Sequence, residues 1–233
     1  MSSDPVLDLS SLKFSYEKGT PFIAIDGLTI KTGESVFLRG PSGSGKSTLL
    51  GLIGGVLTPD SGQVKISGTD MTTLSPTARD RLRAQHLGII FQQLNLLPYL
   101  DVIGNVTLTC RFSKARRDKA VQSDGTLQKS ALRLLGNLGL PETHLAKPVR
   151  ELSVGQQQRV AVARALIGSP ELVIADEPTS ALDTENRDRF IELLNTQRTK
   201  TGCSLLFVSH DESLAHHFDR MIDLADLNQA HMS

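Results

Sequence analysis

Neither sign of charge is in excess in this sequence: 25 Lys and Arg side chains stand against 25 Asp and Glu, a formal net charge of zero. That balance argues against a protein that wraps nucleic acid by overall electrostatics, while leaving local patches open. Long apolar runs are missing too. The longest nearly uncharged one, Leu49 to Leu57, falls far short of the roughly 20 residues that span a bilayer. Residues Met1 to Leu9 carry Asp4 and Asp8 and no basic region ahead of an apolar stretch, so no signal peptide is expected. The only cysteines, Cys110 and Cys203, lie far apart, which argues against a disulfide framework or a zinc site. No internal repeat or low-complexity linker is visible. A soluble, intracellular chain is expected.

What is present is enough for a sizeable core. The 233 residues are 39% hydrophobic and 21% charged, as expected of one large domain or a core with a subdomain. Strands and turns dominate up to Leu38: Val6–Phe14, Phe22–Ile30 and the short apolar Ser35–Arg39. A helix from Lys46 to Val56 follows a glycine-rich loop, and Thr58-Pro59-Asp60-Ser61-Gly62 stops it. Strand Val64–Gly68 comes next, then a charged helix from Ser75-Pro76 to Gln85 and a buried strand Leu87–Phe91. Thereafter the text turns helical, with helices near Leu127–Leu138 and Ser153–Ile167. The last third alternates again: strand Leu172–Ala175, helix Thr184–Arg198, strand Ser204–Ser209, a short helix and strand Met221–Leu224. Such alternation predicts an α/β fold with a mostly parallel sheet covered by helices.

Gly40-Pro41-Ser42-Gly43-Ser44-Gly45-Lys46-Ser47-Thr48 satisfies G-x-x-x-x-G-K-S/T and sits between a predicted strand and a predicted helix. Glycines there let backbone N–H groups converge on phosphate oxygens at a helix N-terminus. Lys46 is then expected to reach the β- and γ-phosphates, and the Ser47 hydroxyl to ligate Mg²⁺. Strand Leu172–Ala175 ends in Asp176-Glu177. Adjacent strand residues face opposite ways, so two carboxylates can divide two tasks. Asp176 is assigned to the magnesium and Glu177 to the attacking water, as general base.

Glu151-Leu152-Ser153-Val154-Gly155-Gln156-Gln157-Gln158-Arg159 resembles the LSGGQ signature of ABC ATPases, and companion motifs follow in family order. The resemblance implies that Tyr16 stacks on adenine and that Gln92, after Phe91, contacts Mg²⁺ and faces a membrane partner. Ser180-Ala181-Leu182-Asp183 matches the D-loop, and His210 the switch histidine that contacts the γ-phosphate. Ser153, Gly155 and Gln156 are expected to approach the ATP of a second copy, in a head-to-tail homodimer. Val154 stands where the family has a glycine; the serine and second glycine beside it are retained. Within the family, Leu87–Pro98 and Gln156–Ala161 are most similar to the macrolide-exporter and lipoprotein-release group.

The resemblance implies a P-loop NTPase (RecA-like) core with a mostly parallel sheet and an N-terminal antiparallel β subdomain, residues 1–92 and 160–233. Residues 93–159 are expected to form an inserted helical subdomain. Implied with it are ATP and Mg²⁺ as ligands, an integral membrane permease as partner and a peripheral position on the cytoplasmic face of the membrane. Leu94, Leu96, Leu97 and Tyr99 are expected to offer the permease an apolar contact. An alternative role is a non-transporting complex that regulates cell-wall hydrolysis or signals across the membrane. Soluble DNA-repair and translation ATPases are disfavoured, because only one phosphate loop and one signature occur, without a long coiled coil between them.

Other features have plainer readings. His216-His217 lacks partners at metal-ligand spacing and reads as a solvent-facing pair. The basic run Arg111–Lys119 reads as a solvated helix face, or as a surface near anionic lipid. Cys203 reads as buried and inert.

Overall fold

The computed structural model describes residues 4–17, 19–180 and 182–231. Strand β1 (Leu7–Phe14) pairs antiparallel with β2 (Ile23–Ile30), leading into β3 (Ser35–Arg39) and α1 (Lys46–Ile53). Next come β4 (Ser61–Ile66), β5 (Thr69–Asp70), α2 (Pro76–His86) and β6 (Leu87–Ile90). Four helices follow: α3 (Val102–Thr107), α4 (Thr109–Phe112), α5 (Lys114–Asp124) and α6 (Leu127–Asn137). The chain then forms α7 (Val154–Leu166), β7 (Leu172–Asp176), α8 (Thr184–Thr201), β8 (Ser204–Ser209), β9 (Arg220–Asp223) and α9 (Leu224–Leu227). Among the described residues, no helix is long and apolar enough to cross a membrane.

Two sheets result. One is antiparallel, in the order β2-β1-β4-β5; the other is parallel, in the order β6-β7-β8-β3-β9. Alternation along the parallel strands divides the core in two. Val36, Leu38, Leu172, Ile174, Leu206 and Val208 pack with the antiparallel sheet and α1. Phe37, Val173, Ala175, Leu205 and Phe207 point the other way, into a core shared with α3, α6, α7 and α8. Burial on both faces explains why β3, β7 and β8 read as continuous apolar runs.

The elements follow the sequence closely, and their ends differ for local reasons. Helix α1 stops at Ile53, before the expected Val56, because Gly54 caps it and Gly55 adopts a φ of 64°. Residues 93–101 are non-helical: Leu94 and Asn95 have positive φ, and the Asn105 side chain binds the backbone of Leu97 and Leu100. Helix α7 runs unbroken across Arg159, with its later half against β6.

The basic run corrects its sequence reading at one position. Arg111, Lys114, Arg117 and Lys119 are exposed, but Arg116 is 1% exposed. Its guanidinium donates to the carbonyls of Leu87, Ala165 and Ile167, joining α5 to the ends of α2 and α7. Burial lowers its pKa to about 10, so it stays charged at neutral pH. Arg116→Ala would leave three buried carbonyls without their charged donor. A loss of roughly 3 kcal/mol or more is expected in denaturant unfolding, against a shift under 1 kcal/mol if the contacts are incidental.

Candidate functional site

The carboxyl ends of β7, β8 and β3 lie side by side, with Asp176 opposite Val208 and Arg39 opposite Ser209. Everything the sequence places after these strands therefore meets at one edge of the sheet, the usual place for a ligand in such folds. A cleft of about 820 Å³ opens there, lined by Gly40, Pro41, Ser42, Gly43, Gly45, Lys46, Ser47, Thr48, Gln92, Asp176, Glu177 and His210. Most of the predicted nucleotide residues thus converge. Phe22, Arg39, Asp223 and Ala225 also line it and were not singled out from the sequence. Arg39 was foreshadowed only by its place before Gly40; it pairs with Glu212 at 2.9 Å and faces Asp223 at 3.6 Å.

The loop between β3 and α1 is shaped for an anion. Gly43 and Gly45 take φ values of 80° and 99°, and Gly45 supplies the N-cap of α1 without a side chain. A Cβ on Gly45 would come within 2.9 Å of Ile23 Cδ1. Lys46 lies back across the loop, donating to the carbonyls of Gly40 at 2.6 Å and Pro41 at 2.9 Å. The Ser44 hydroxyl is buried with no hydrogen-bond partner among the described residues. An orphaned polar group in a glycine cradle fits a ligand rich in acceptor oxygens, such as a phosphate.

Glu177 is the centre of the polar network. Its backbone has a φ of 46°, uncommon for a residue with a Cβ, and is held by its N–H to the Val208 carbonyl at 2.9 Å. His210 Nδ1 lies 3.0 and 2.9 Å from its two carboxylate oxygens, so that nitrogen carries the proton. Lys46 Nζ is 3.7 Å from the same carboxylate. Asp176 beside it is pushed up from the usual carboxylate range by burial and by the Glu177 charge, with Lys46 opposing.

Other predicted residues fall outside the cleft. Tyr16 donates to or accepts from Thr48 Oγ1 at 2.8 Å and sets its ring edgewise to Phe14 and Phe22, with 63% of its surface exposed. Ser153 caps α7: Gln156 N–H donates to its hydroxyl, while Ser153 N–H donates to Gln156 Oε1 at 3.0 Å. Gly155 has open space around it and Val154 is exposed. Asp183 caps α8 through Asn186 N–H at 2.9 Å; Ala181 of the same motif lies outside the described residues. Ser153, Gly155, Gln156 and Asp183 do not line the cleft of their own chain.

The histidine pair differs from its sequence reading. His217 is largely buried and Asp188, twenty-nine positions away, lies 3.1 Å from its Nε2. That partner comes from α8 through tertiary packing, which no local spacing reveals. Cys203 is buried as expected, and burial raises its thiol pKa.

The cradle generates a comparison of variants. Gly45→Ala is expected to lower stability by roughly 1–3 kcal/mol, through positive φ and collision with Ile23. Gly43→Ala meets nothing within 4 Å and should cost less. Equal melting temperatures for the two variants would contradict the collision.

Comparison with known proteins bears on this geometry. The profile of the ABC transporter family matches residues 25–180. The macrolide export ATP-binding/permease protein of Escherichia coli is 41% identical over 199 residues, 85% of this chain and 29% of that protein. The chain therefore spans under a third of that relative. The lipoprotein-releasing system ATP-binding protein of Anaeromyxobacter dehalogenans is 39% identical over 225 residues, covering 95% of this chain and 91% of its own. Among solved structures, a dimeric ATP-binding cassette in a post-hydrolysis state with ADP and Pi superposes at a TM-score of 0.81. It shares 34% identity and covers 96% of this chain and 95% of its own. With its glycine-rich loop, paired carboxylates and histidine on one sheet edge, the chain belongs to the ABC transporter family.

Proposed function

We propose that the protein is an ATP-binding and ATP-hydrolysing subunit that energises a membrane permease for export or release of a substrate. The observation that carries this reading is the convergence of the Gly40–Thr48 cradle, Asp176, Glu177 and His210 in one cleft. Family membership and the relatives' names, which speak of macrolide export and lipoprotein release, support it.

In this reading the amides of Ser42 to Thr48 and the Lys46 ammonium hold the phosphates, and Tyr16 stacks on adenine. Ser47, Asp176 and Gln92 offer the oxygen ligands that Mg²⁺ prefers, and the ion when bound offsets phosphate charge. Glu177 accepts a proton from the water that attacks the γ-phosphorus, while the bond to the ADP oxygen breaks. The His210 hydrogen bond fixes the carboxylate for that task. Ser153, Gly155, Gln156 and Asp183 serve the nucleotide of a second copy, packed head to tail. The dimeric neighbour structures support such pairing. The exposed side chain of Val154 leaves Ser153 and Gly155 unobstructed. Residues 93–159 act as the helical subdomain that presents this signature.

The permease is expected to dock from the cytoplasmic face of the membrane, with the protein held there peripherally. Leu94 and Leu96 are half-buried against the core, and Tyr99 is exposed. Beside them a groove of about 530 Å³ runs between α2 and α4, in which apolar Ala84, Ile89, Phe91, Leu108 and Phe112 are joined by Asp80, Arg81 and Arg83. It suits an apolar helical segment of the permease.

Two measurements test the reading. Glu177→Gln is expected to retain Mg-ATP, to lose roughly 10²–10⁴ in turnover and to run as a dimer in sizing experiments at saturating Mg-ATP. A monomer under those conditions would remove the head-to-tail site. Phe112→Asp is expected to abolish copurification of the membrane subunit at unchanged basal ATPase rate; undiminished copurification would move the docking surface elsewhere.

A further inference from the structure

Outside the nucleotide cleft, Asp188, His216 and His217 each offer one ligand atom within 4.8 Å of the others. Asp188 lies on α8, and the histidines end the 3-10 segment Glu212–His217 that follows His210. None of the three lines the cleft. Asp188 Oδ1 and His217 Nε2 are already 3.1 Å apart, and the two imidazole centroids 3.9 Å apart. Tetrahedral bonds of about 2.1 Å place ligand atoms roughly 3.4 Å from one another and imidazole centroids roughly 5 Å apart, so closure needs the His216 ring to swing away from that of His217. His216 is exposed and held through its ring by one hydrogen bond, to the Ser213 carbonyl, about which it can make that shift.

The surroundings prepare the ligands. His216 Nδ1 donates to the Ser213 carbonyl at 2.7 Å, which leaves the lone pair on Nε2, and the His217 carbonyl accepts from Asn195 at 3.0 Å. Arg187, the neighbouring cation on α8, is paired with Asp211 at 2.7 Å. Its charge is therefore offset locally.

We propose that Asp188, His216 and His217 bind one zinc-type divalent ion, with solvent in the remaining position. Two imidazoles and one carboxylate suit zinc or cobalt, whereas magnesium prefers an all-oxygen shell. The ion would join α8, which Asp183 caps, to the segment that follows His210. Those two elements already meet through the Arg187–Asp211 ion pair.

The test is a titration of the tag-free full chain with Co²⁺ and Zn²⁺, without nucleotide, followed by cobalt ligand-field absorption and by calorimetry. One saturable equivalent is expected, with His216→Ala, His217→Ala and Asp188→Asn each weakening it by roughly tenfold or more. Asp176→Asn should leave it unchanged, which separates it from the nucleotide cleft. Circular dichroism verifies that each variant is folded. Absence of saturable binding would leave Asp188 and His217 as a hydrogen-bonded pair and overturn the proposal. So would binding that persists in all three ligand variants, or binding that disappears in Asp176→Asn.

Discussion

The hydrogen-bond register of three neighbouring parallel strands is the constraint on which the site depends. Because β7 pairs with β8 and β8 with β3, Asp176, Ser209 and Arg39 finish at nearly the same level. The residues that come next, Glu177, His210 and Gly40, have nowhere to go but the same edge. A one-residue slip of β7 would turn its apolar side chains to the opposite faces and break both halves of the core. Core packing and site geometry therefore protect each other.

On that edge the polar groups are over-determined. The left-handed backbone of Glu177 is held by the Val208 carbonyl, and its carboxylate by His210, with Lys46 3.7 Å away. A carboxylate fixed on several sides loses little freedom when a substrate arrives, which is the physical content of preorganisation. Lys46 in turn is held by loop carbonyls, so the cradle keeps its shape through its own charged side chain.

Two buried arginines fasten the helices to one another and to the loop after β6. Arg116 ties α5 to the ends of α2 and α7. Arg164, near the end of α7, donates to the carbonyls of Leu94 and Asn95, just after Gln92. Helix α7 thus carries the Ser153 cap at one end and a grip on the Gln92 loop at the other. Burial lowers the pKa of both guanidiniums, and the charge survives because arginine begins so high. The sequence shows these residues only as members of basic or polar stretches. Their role depends on which carbonyls are left free at helix ends, which is a property of packing.

Local chemistry made much of the protein legible in advance. The G-x-x-x-x-G-K-S/T spacing, the apolar strand ending in Asp176-Glu177 and the Ser153 cap each contain their physical reason within a few residues. The sequence by itself therefore determined the strands, the glycine loop between β3 and α1 and the family resemblance. Tertiary structure alone decided what lies across from what: Asp188 beside His217, Arg39 and Asp223 at the cleft, Arg116 under the helices, Leu94 half-buried against the core. Such contacts join residues far apart in the chain, and their energy comes from burial and pairing that no short window of sequence contains.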